Sequence, residues 1–190
     1  MRKRILIGLH GMAYTGKTTS AYTFAKELDL CMFSFAEPVV RACAGLTAMA
    51  QHDFMQLPKD RKIPYFKMTP REMMQQIGRA IRDINPNALI AVLEAEACDT
   101  GKNRMHHHLF SGSIVTDVRL PAEAAWVRNQ GGIVIHLIRD DAPPTNPDIT
   151  EQKLPVVSGD IVIKNNGTVE ELRHKLITTI QGIRDELYAA

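Results

Sequence analysis

An open, mainly parallel α/β sheet with helices on both faces is the fold this sequence predicts, on three observations. Short β-branched and aliphatic runs recur at residues 5–9, 31–35, 114–116, 133–138 and 161–163. Stretches of helical periodicity separate them, and strands joined by helices pair in parallel because each crossover returns the chain to the same end of the sheet. The first run leads directly into Gly11-Met12-Ala13-Tyr14-Thr15-Gly16-Lys17-Thr18, a complete GxxxxGK[ST] loop set between a strand and a helix.

Residues 5–9 are apolar without alternation, as a strand covered on both faces requires. Residues 17–29 read as a helix with Ala21, Phe24, Ala25 and Leu28 on one face. Residues 31–35 form a second strand and residues 37–49 a second helix. Residues 50–68, interrupted by Pro58 and Pro64, are expected to be irregular. Thr69, Pro70 and Glu72 then make a capping box with proline at the first helical position. Met74, Ile77 and Ile81 give that helix an apolar stripe, Asn85-Pro86 breaks it, and another helix runs to about Cys98. Residues 100–111 are a polar loop.

The third strand, 114–116, ends at Asp117. Pro121 opens a helix that Gly131-Gly132 stops, and residues 133–138 are the fourth strand. Residues 139–159 carry four prolines and no periodicity. So long an excursion within a compact domain is functional or disordered, and it is assigned as a lid. After the fifth strand, 161–163, Asn166-Gly167 turns the chain and Thr168 with Glu171 makes a second capping box. Val169, Leu172, Leu176, Ile180, Ile183 and Leu187 define the last amphipathic helix.

A length of 190 residues with 45% hydrophobic content suits one compact domain, residues 1–190. A net charge of +2 is too small for a protein that coats nucleic acid. Cys31, Cys43 and Cys98 are odd in number and form no CxxC pair, which argues against a disulfide scaffold or a zinc ribbon and for reduced thiols. The start, MRKRILIGLHG, has the basic flank of a secretory leader, but its apolar stretch is short and runs into the glycine loop. No apolar run approaches the roughly 18 residues of a membrane span.

The loop explains its own residue types. Gly11 and Gly16 let the backbone curl so that its N–H groups face phosphates, and the following helix N-terminus adds partial positive charge. The expected nucleotide-binding set is Gly11, Ala13, Tyr14, Thr15, Gly16, Lys17, Thr18 and Thr19. Lys17 reaches the β- and γ-phosphates and the Thr18 hydroxyl ligates Mg²⁺. This is the signature of the P-loop NTPase fold, here with five strands, flanking helices and a lid segment. By itself it serves a hydrolase, a switch GTPase or a kinase equally.

Two further segments narrow the class. Asp117 at the end of a strand can hold Mg²⁺ directly or through water, with Arg119 then facing the reacting phosphates; the competing reading is a surface turn with a local ion pair. Arg71 lies in the first turn of its helix and Gln75 one turn later on the same face. A guanidinium there can clamp a monophosphate bidentately, with Gln75 hydrogen-bonding a base or sugar. An exposed helix-start arginine is the alternative, yet the macrodipole disfavours a cation at that end, which tilts the reading toward a bound anion. Glu37 stays open between contact with a substrate sugar, assistance to Mg²⁺ and the helix-start role that acids favour.

The ordered blocks GMAYTGKTTSA, SFAEPVVRA, TPREMMQQIG, SIVTDVRLPAEAAWVRNQGGIVIHLIR, DITEQKLP and GDIVIKNNGTVEEL span nearly the whole chain. Together they resemble the deoxynucleoside monophosphate kinases of tailed phages; the last three blocks are more specific than the loop. The resemblance implies transfer of the γ-phosphoryl group of ATP, with Mg²⁺, to a deoxynucleoside 5′-monophosphate. Arg71, Gln75, Asp117, Arg119, Arg139 and Glu151 match recurring positions of the pattern. The chain departs from it at Val40-Arg41, where a lysine is common, at Arg79, where a threonine is common, and at Asp148, where a histidine is common.

The expected roles follow. Lys17, Arg119 and Arg139 are catalytic. Glu37, Arg71, Gln75 and Arg119 bind the acceptor within residues 36–100. Arg139, Glu151 and Lys153 belong to the lid over residues 139–159, and Thr18 with Asp117 holds the metal. The partners are a nucleoside triphosphate and a deoxynucleoside monophosphate, with no nucleic acid or membrane and with homodimerisation left open. The expected location is cytoplasm, that of the host for a phage-encoded chain. The rivals are another small-molecule P-loop kinase, acting on dephospho-coenzyme A or a nucleoside, and a nucleotide-dependent binding or switch protein. Residues 69–82 count against the switch, which needs no second phosphate clamp. His106-His107-His108 is not assigned to a metal, since adjacent histidines do not converge on one ion. The nine methionines and Trp126 are read as packing.

Overall fold

The structure is a computed structural model that describes residues 4–11, 21, 24–98, 111–140 and 153–189. The chain divides into two compact units, one of Met1–Ser34 with Asp99–Ala190 and one of Phe35–Cys98.

The first unit is built on five parallel strands: β1 (Ile5–Gly11), β2 (Leu30–Phe33), β3 (Gly112–Val118), β4 (Ile133–Ile138) and β5 (Ile161–Lys164), in the order β2-β3-β1-β4-β5. The most completely buried strand, β1, is central, as a strand covered on both sides must be. Ile5, Ile7 and Leu9 pack with Ala21, Phe24, Ala25 and Leu28 and with Leu172, Leu176 and Ile180 of the last helix, Val169–Ala189. A helix over Pro121–Asn129 covers the opposite face, where a Cβ on Gly8 would meet both Val118 and Val127. Gly131 ends this helix in the left-handed region at φ 75°, and the N–H groups of Gly131 and Gly132 bond the carbonyls of Arg128 and Val127. Thr168 and Glu171 form the expected capping box before the last helix.

The second unit is helical: α1 (Glu37–Leu46), α2 (Gln51–Gln56), α3 (Pro70–Ile84) and α4 (Ala88–Cys98). The first unit also carries the helices α5 (Pro121–Asn129) and α6 (Val169–Ala189). Val39, Val40, Cys43 and Ala44 of α1 pack with Phe54, Ile63, Met73 and Leu89. Thr69 and Glu72 form the expected capping box of α3, with Pro70 at its start.

The structure corrects several sequence expectations. A short helix, α2, stands within residues 50–68, which the prolines suggested were irregular; it buries only Phe54, too little to leave a periodic signal. The buried methionine of α3 is Met73, while Met74, Ile77 and Ile81 pack at the margin of that core. Helix α1 stops at Leu46 rather than residue 49, and β2 covers Leu30–Phe33 rather than 31–35. Val169 is half exposed and outside the stripe of α6. Asp117 lies inside β3, not after it.

Candidate active site

The parallel strands bring their C-terminal ends to one side of the sheet, where ligands bind in open α/β folds. Gly11, where the phosphate loop begins, stands opposite Leu137 of β4, and His10 opposite Val118 of β3. Asp117, Arg119 and Arg139 therefore gather at the edge from which the phosphate loop leaves. The loop residues Ala13, Tyr14, Thr15, Gly16, Lys17, Thr18 and Thr19 lie outside the described residues, as do Glu151 and His106-His107-His108.

Asp117 owes its position to an irregularity that the sequence does not announce. Gly8 pairs with Val115, yet His10, two residues on, pairs with Val118, three residues on. The extra residue is a β-bulge at Thr116-Asp117, a device that re-aims side chains beside active sites. Ser34, at the end of β2, donates its hydroxyl to Asp117 Oδ2 at 2.8 Å, and Thr116 donates to the carbonyl of Phe33 at 3.3 Å. A half-buried carboxylate oriented by a hydroxyl is a hard oxygen donor of the kind Mg²⁺ takes, and Thr18 would add a second.

The turn that carries Arg119 is held by Glu123. Glu123 is 5% exposed, and its carboxylate accepts from the backbone N–H groups of Arg119 at 2.7 Å and Leu120 at 2.9 Å. The acid at the start of α5 also meets the positive end of the helix. Arg139 follows β4 directly and is half-buried. Next to it, Asn166 accepts from the Asp140 N–H at 3.1 Å and donates to the Asp140 carboxylate at 2.6 Å.

Lys153 is exposed and precedes Leu154, whose N–H donates to His10 Nε2 at 3.3 Å. Beyond it, Asp160 accepts from Arg128 Nε at 3.0 Å, Arg128 Nη2 at 2.7 Å, His136 Nε2 at 2.9 Å and the Val157 N–H at 3.0 Å. Burial pushes its carboxyl up. The Arg128, Val157 and His136 donors outweigh that and hold it at about 2.

In the helical unit, Arg71 and Gln75 are both half-buried in the first two turns of α3. Glu37 begins α1, and its Oε1 accepts from Gln51 Nε2 of α2, so a helix-start role and a side-chain partner are both occupied. Cys31 and Cys43 are free thiols, each pushed up by burial. Among the described residues no cluster of His, Cys, Asp or Glu could hold a metal ion, and no helix is long and apolar enough to cross a membrane.

Ser34, Glu123, His10 and Asp160 were not singled out from sequence. Ser34, His10 and, apart from the Val157 N–H, Asp160 meet partners distant in the chain, whereas Glu123 bonds Arg119 and Leu120 within four residues and alone carried a local signal.

The chain is similar to the "Putative deoxynucleotide monophosphate kinase" of Acanthamoeba polyphaga mimivirus, 28% identical over 197 residues that cover 93% of this chain and 96% of that protein. It is 42% identical over 67 residues to the deoxynucleotide monophosphate kinase of Escherichia phage RB69 and 40% identical over 68 residues to that of Enterobacteria phage T4. Those matches cover 35% and 36% of this chain and 28% of each phage protein. Among solved structures, a dephospho-CoA kinase from Campylobacter jejuni superposes with a TM-score of 0.50 at 15% identity, over 97% of this chain and 99% of that one, a likeness of fold. A family model for deoxynucleotide monophosphate kinases matches residues 66–176, more than half of the chain, and the chain therefore belongs to the deoxynucleotide monophosphate kinase family.

Proposed function

We propose that this kinase transfers the γ-phosphoryl group of ATP to a deoxynucleoside 5′-monophosphate and releases the diphosphate, with the residues of the sheet edge on the donor side and those of α3 on the acceptor side. Such a transfer needs positioning and charge stabilisation rather than covalent work by side chains. Lys17 and the loop N–H groups of Gly11, Ala13, Tyr14, Thr15, Gly16, Thr18 and Thr19 cradle the donor phosphates. Arg119 and Arg139 meet the charge that develops on the transferring group. Thr18 and Asp117 would hold Mg²⁺, which would supply charge neutralisation to the donor phosphates. Arg71 clamps the acceptor phosphate, with Gln75 and Glu37 toward its sugar or base. Residues 139–159, which leave β4 at the C-terminal end of the sheet and cross back to the start of β5, exclude water and bring Lys153 and Glu151 to the phosphates.

The observation that carries this reading is the gathering of Gly11, Asp117, Arg119 and Arg139 at one end of the parallel sheet. The family match supports the acceptor assignment, since it includes Arg71 and Gln75. The test is a panel of deoxyribonucleoside and ribonucleoside monophosphates, nucleosides and dephospho-coenzyme A, each with ATP and Mg²⁺, read by product mass. Deoxyribonucleoside monophosphates should give the highest kcat/KM. Arg71→Ala should raise the acceptor KM strongly with little change for ATP, because a charge-assisted contact is worth about 1.5–3 kcal/mol. Equal or better use of ribonucleotides, or an Arg71→Ala effect confined to ATP, overturns the assignment.

A further inference from the structure

Two histidines lie buried beneath the sheet edge, a place where no catalytic step needs them. His10 is 6% exposed and His136 2% exposed. They are register partners on β1 and β4, with ring centroids 5.1 Å apart and planes at 68°. A buried imidazole must satisfy both ring nitrogens. His136 meets Asp160. Two backbone groups of other segments bond the His10 ring: Nδ1 lies 2.9 Å from the carbonyl of Val118, and Nε2 lies 3.3 Å from the N–H of Leu154. The carbonyl can only accept and the amide can only donate. One tautomer satisfies both, the neutral imidazole with its proton on Nδ1.

The three places joined in this way are not arbitrary. His10 immediately precedes Gly11, the first residue of the phosphate loop. Val118 closes the β-bulge and lies between Asp117 and Arg119. Leu154, itself buried, follows Lys153. The segment beyond is fixed again at Asp160, through the Val157 N–H, Arg128 and His136. We propose that His10 is a positioning residue for phosphoryl transfer: one neutral imidazole sets the Asp117–Arg119 turn and the backbone of Lys153 against the strand that delivers the phosphate loop. This inference deepens the reaction proposed above and rests on it. Aligned groups matter because a misplacement of about 1 Å can cost about a hundredfold in rate.

The two bonds can be separated. The amide of an asparagine reaches only the Nδ1 position, so His10→Asn keeps the Val118 contact and loses Leu154. The amide of a glutamine reaches the Nε2 position, so His10→Gln keeps an acceptor for Leu154. Three full-length proteins, wild type and the two variants, are compared by backbone amide hydrogen exchange at Leu154 and by steady-state kinetics with ATP and a deoxynucleoside monophosphate. In His10→Asn, Leu154 exchange should rise and kcat fall by about tenfold or more each, with both KM values within about threefold. His10→Gln should recover the protection of Leu154 but only part of kcat, the remaining loss reporting the Val118 bond that it gives up. A residue that only stabilised the fold would lower Tm in both variants and leave kcat of the folded protein unchanged.

Unchanged exchange at Leu154 in His10→Asn overturns the tether. Fast exchange at wild-type kcat overturns the positioning role, as does a loss expressed in KM alone. Should His10→Asn fail to fold, His10→Gln decides alone: retained protection with a partial loss of kcat at unchanged KM supports the role, and retained protection with wild-type kcat refutes it. A wild-type chain inert toward every acceptor removes the reaction and the role together, and is recognised because all three proteins then lack turnover whatever their exchange at Leu154.

Discussion

Asp160→Asn tests whether the buried carboxylate holds the descending end of the 139–159 segment. The Asp160 side chain is 1% exposed and accepts a two-pronged contact from Arg128, together with His136 and the Val157 N–H. Its carboxyl is held at about 2 against an ordinary 3.8, so the folded state favours the charged form by about 2–3 kcal/mol at about 1.4 kcal/mol per unit. The sign follows directly. A depressed carboxyl contributes stability that is complete above the unfolded value near 4 and is lost as the pH falls through about 2. The amide of asparagine cannot accept from all four donors, and Arg128, 27% exposed, recovers part of its solvation. The net loss at pH 7 should be about 2 kcal/mol, a Tm decrease of roughly 4–8 °C for a chain of this size. Trp126 is the single tryptophan and sits in α5, in the unit that contains Asp160. Its fluorescence in urea therefore reports the relevant transition. The gap between wild type and variant should be full at pH 7 and narrow from pH 4 downward. A gap below about 0.5 kcal/mol at pH 7, or one that widens toward acid, refutes the reasoning.

A Cβ at Gly112 would sit 2.3 Å from Ile5 Cγ2 and 2.6 Å from the Ile5 carbonyl, where β3 and β1 begin to pair. Gly112→Ala should therefore lower stability by about 1–3 kcal/mol in the same urea assay, and an unchanged midpoint would show that the strands separate freely there. Thr69→Ala removes the side-chain half of the α3 capping box and should cost about 1 kcal/mol. Because Arg71 lies in that first turn, the same variant should raise the acceptor KM more than the ATP KM; equal changes would detach the cap from acceptor binding.

The parts of the fold written in local pattern were legible. Apolar runs placed all five strands, and the Thr69/Glu72 and Thr168/Glu171 boxes placed two helix starts to the residue, since a cap is decided within four positions. Helix α2 was not legible because six residues with one buried side chain carry no period. Asp117 and Arg119 could be assigned to a strand end from their spacing, but the bulge that re-aims Asp117 depends on how β3 registers with β1. The supports of the site were the least legible. Ser34 meets its partner 83 positions away and His10 meets Leu154 144 positions away, so no sequence window contains both members of either pair.

The two faces of the central strand divide the work of the fold. Toward the helical residues 24–27 and α6, β1 presents Ile5, Ile7 and Leu9 to an apolar core of Phe24, Leu172, Leu176 and Ile180. Such a face contributes burial and tolerates exchange among side chains of similar volume. Toward α5 the same strand presents Gly8 and His10, and the residues around it near the sheet edge include His136, Arg128 and Asp160. Burying these polar groups is unfavourable unless each finds its partner with good geometry. A network of this kind therefore accepts few alternative arrangements, where an apolar core accepts many. The polar face lies directly under the edge that carries Gly11, Asp117, Arg119 and Arg139. Apolar burial stabilises both sides of the sheet, through Val118, Val127 and Val134 on the α5 side as well, and the polar network adds a single register of strand ends, which is what a transfer governed by alignment requires.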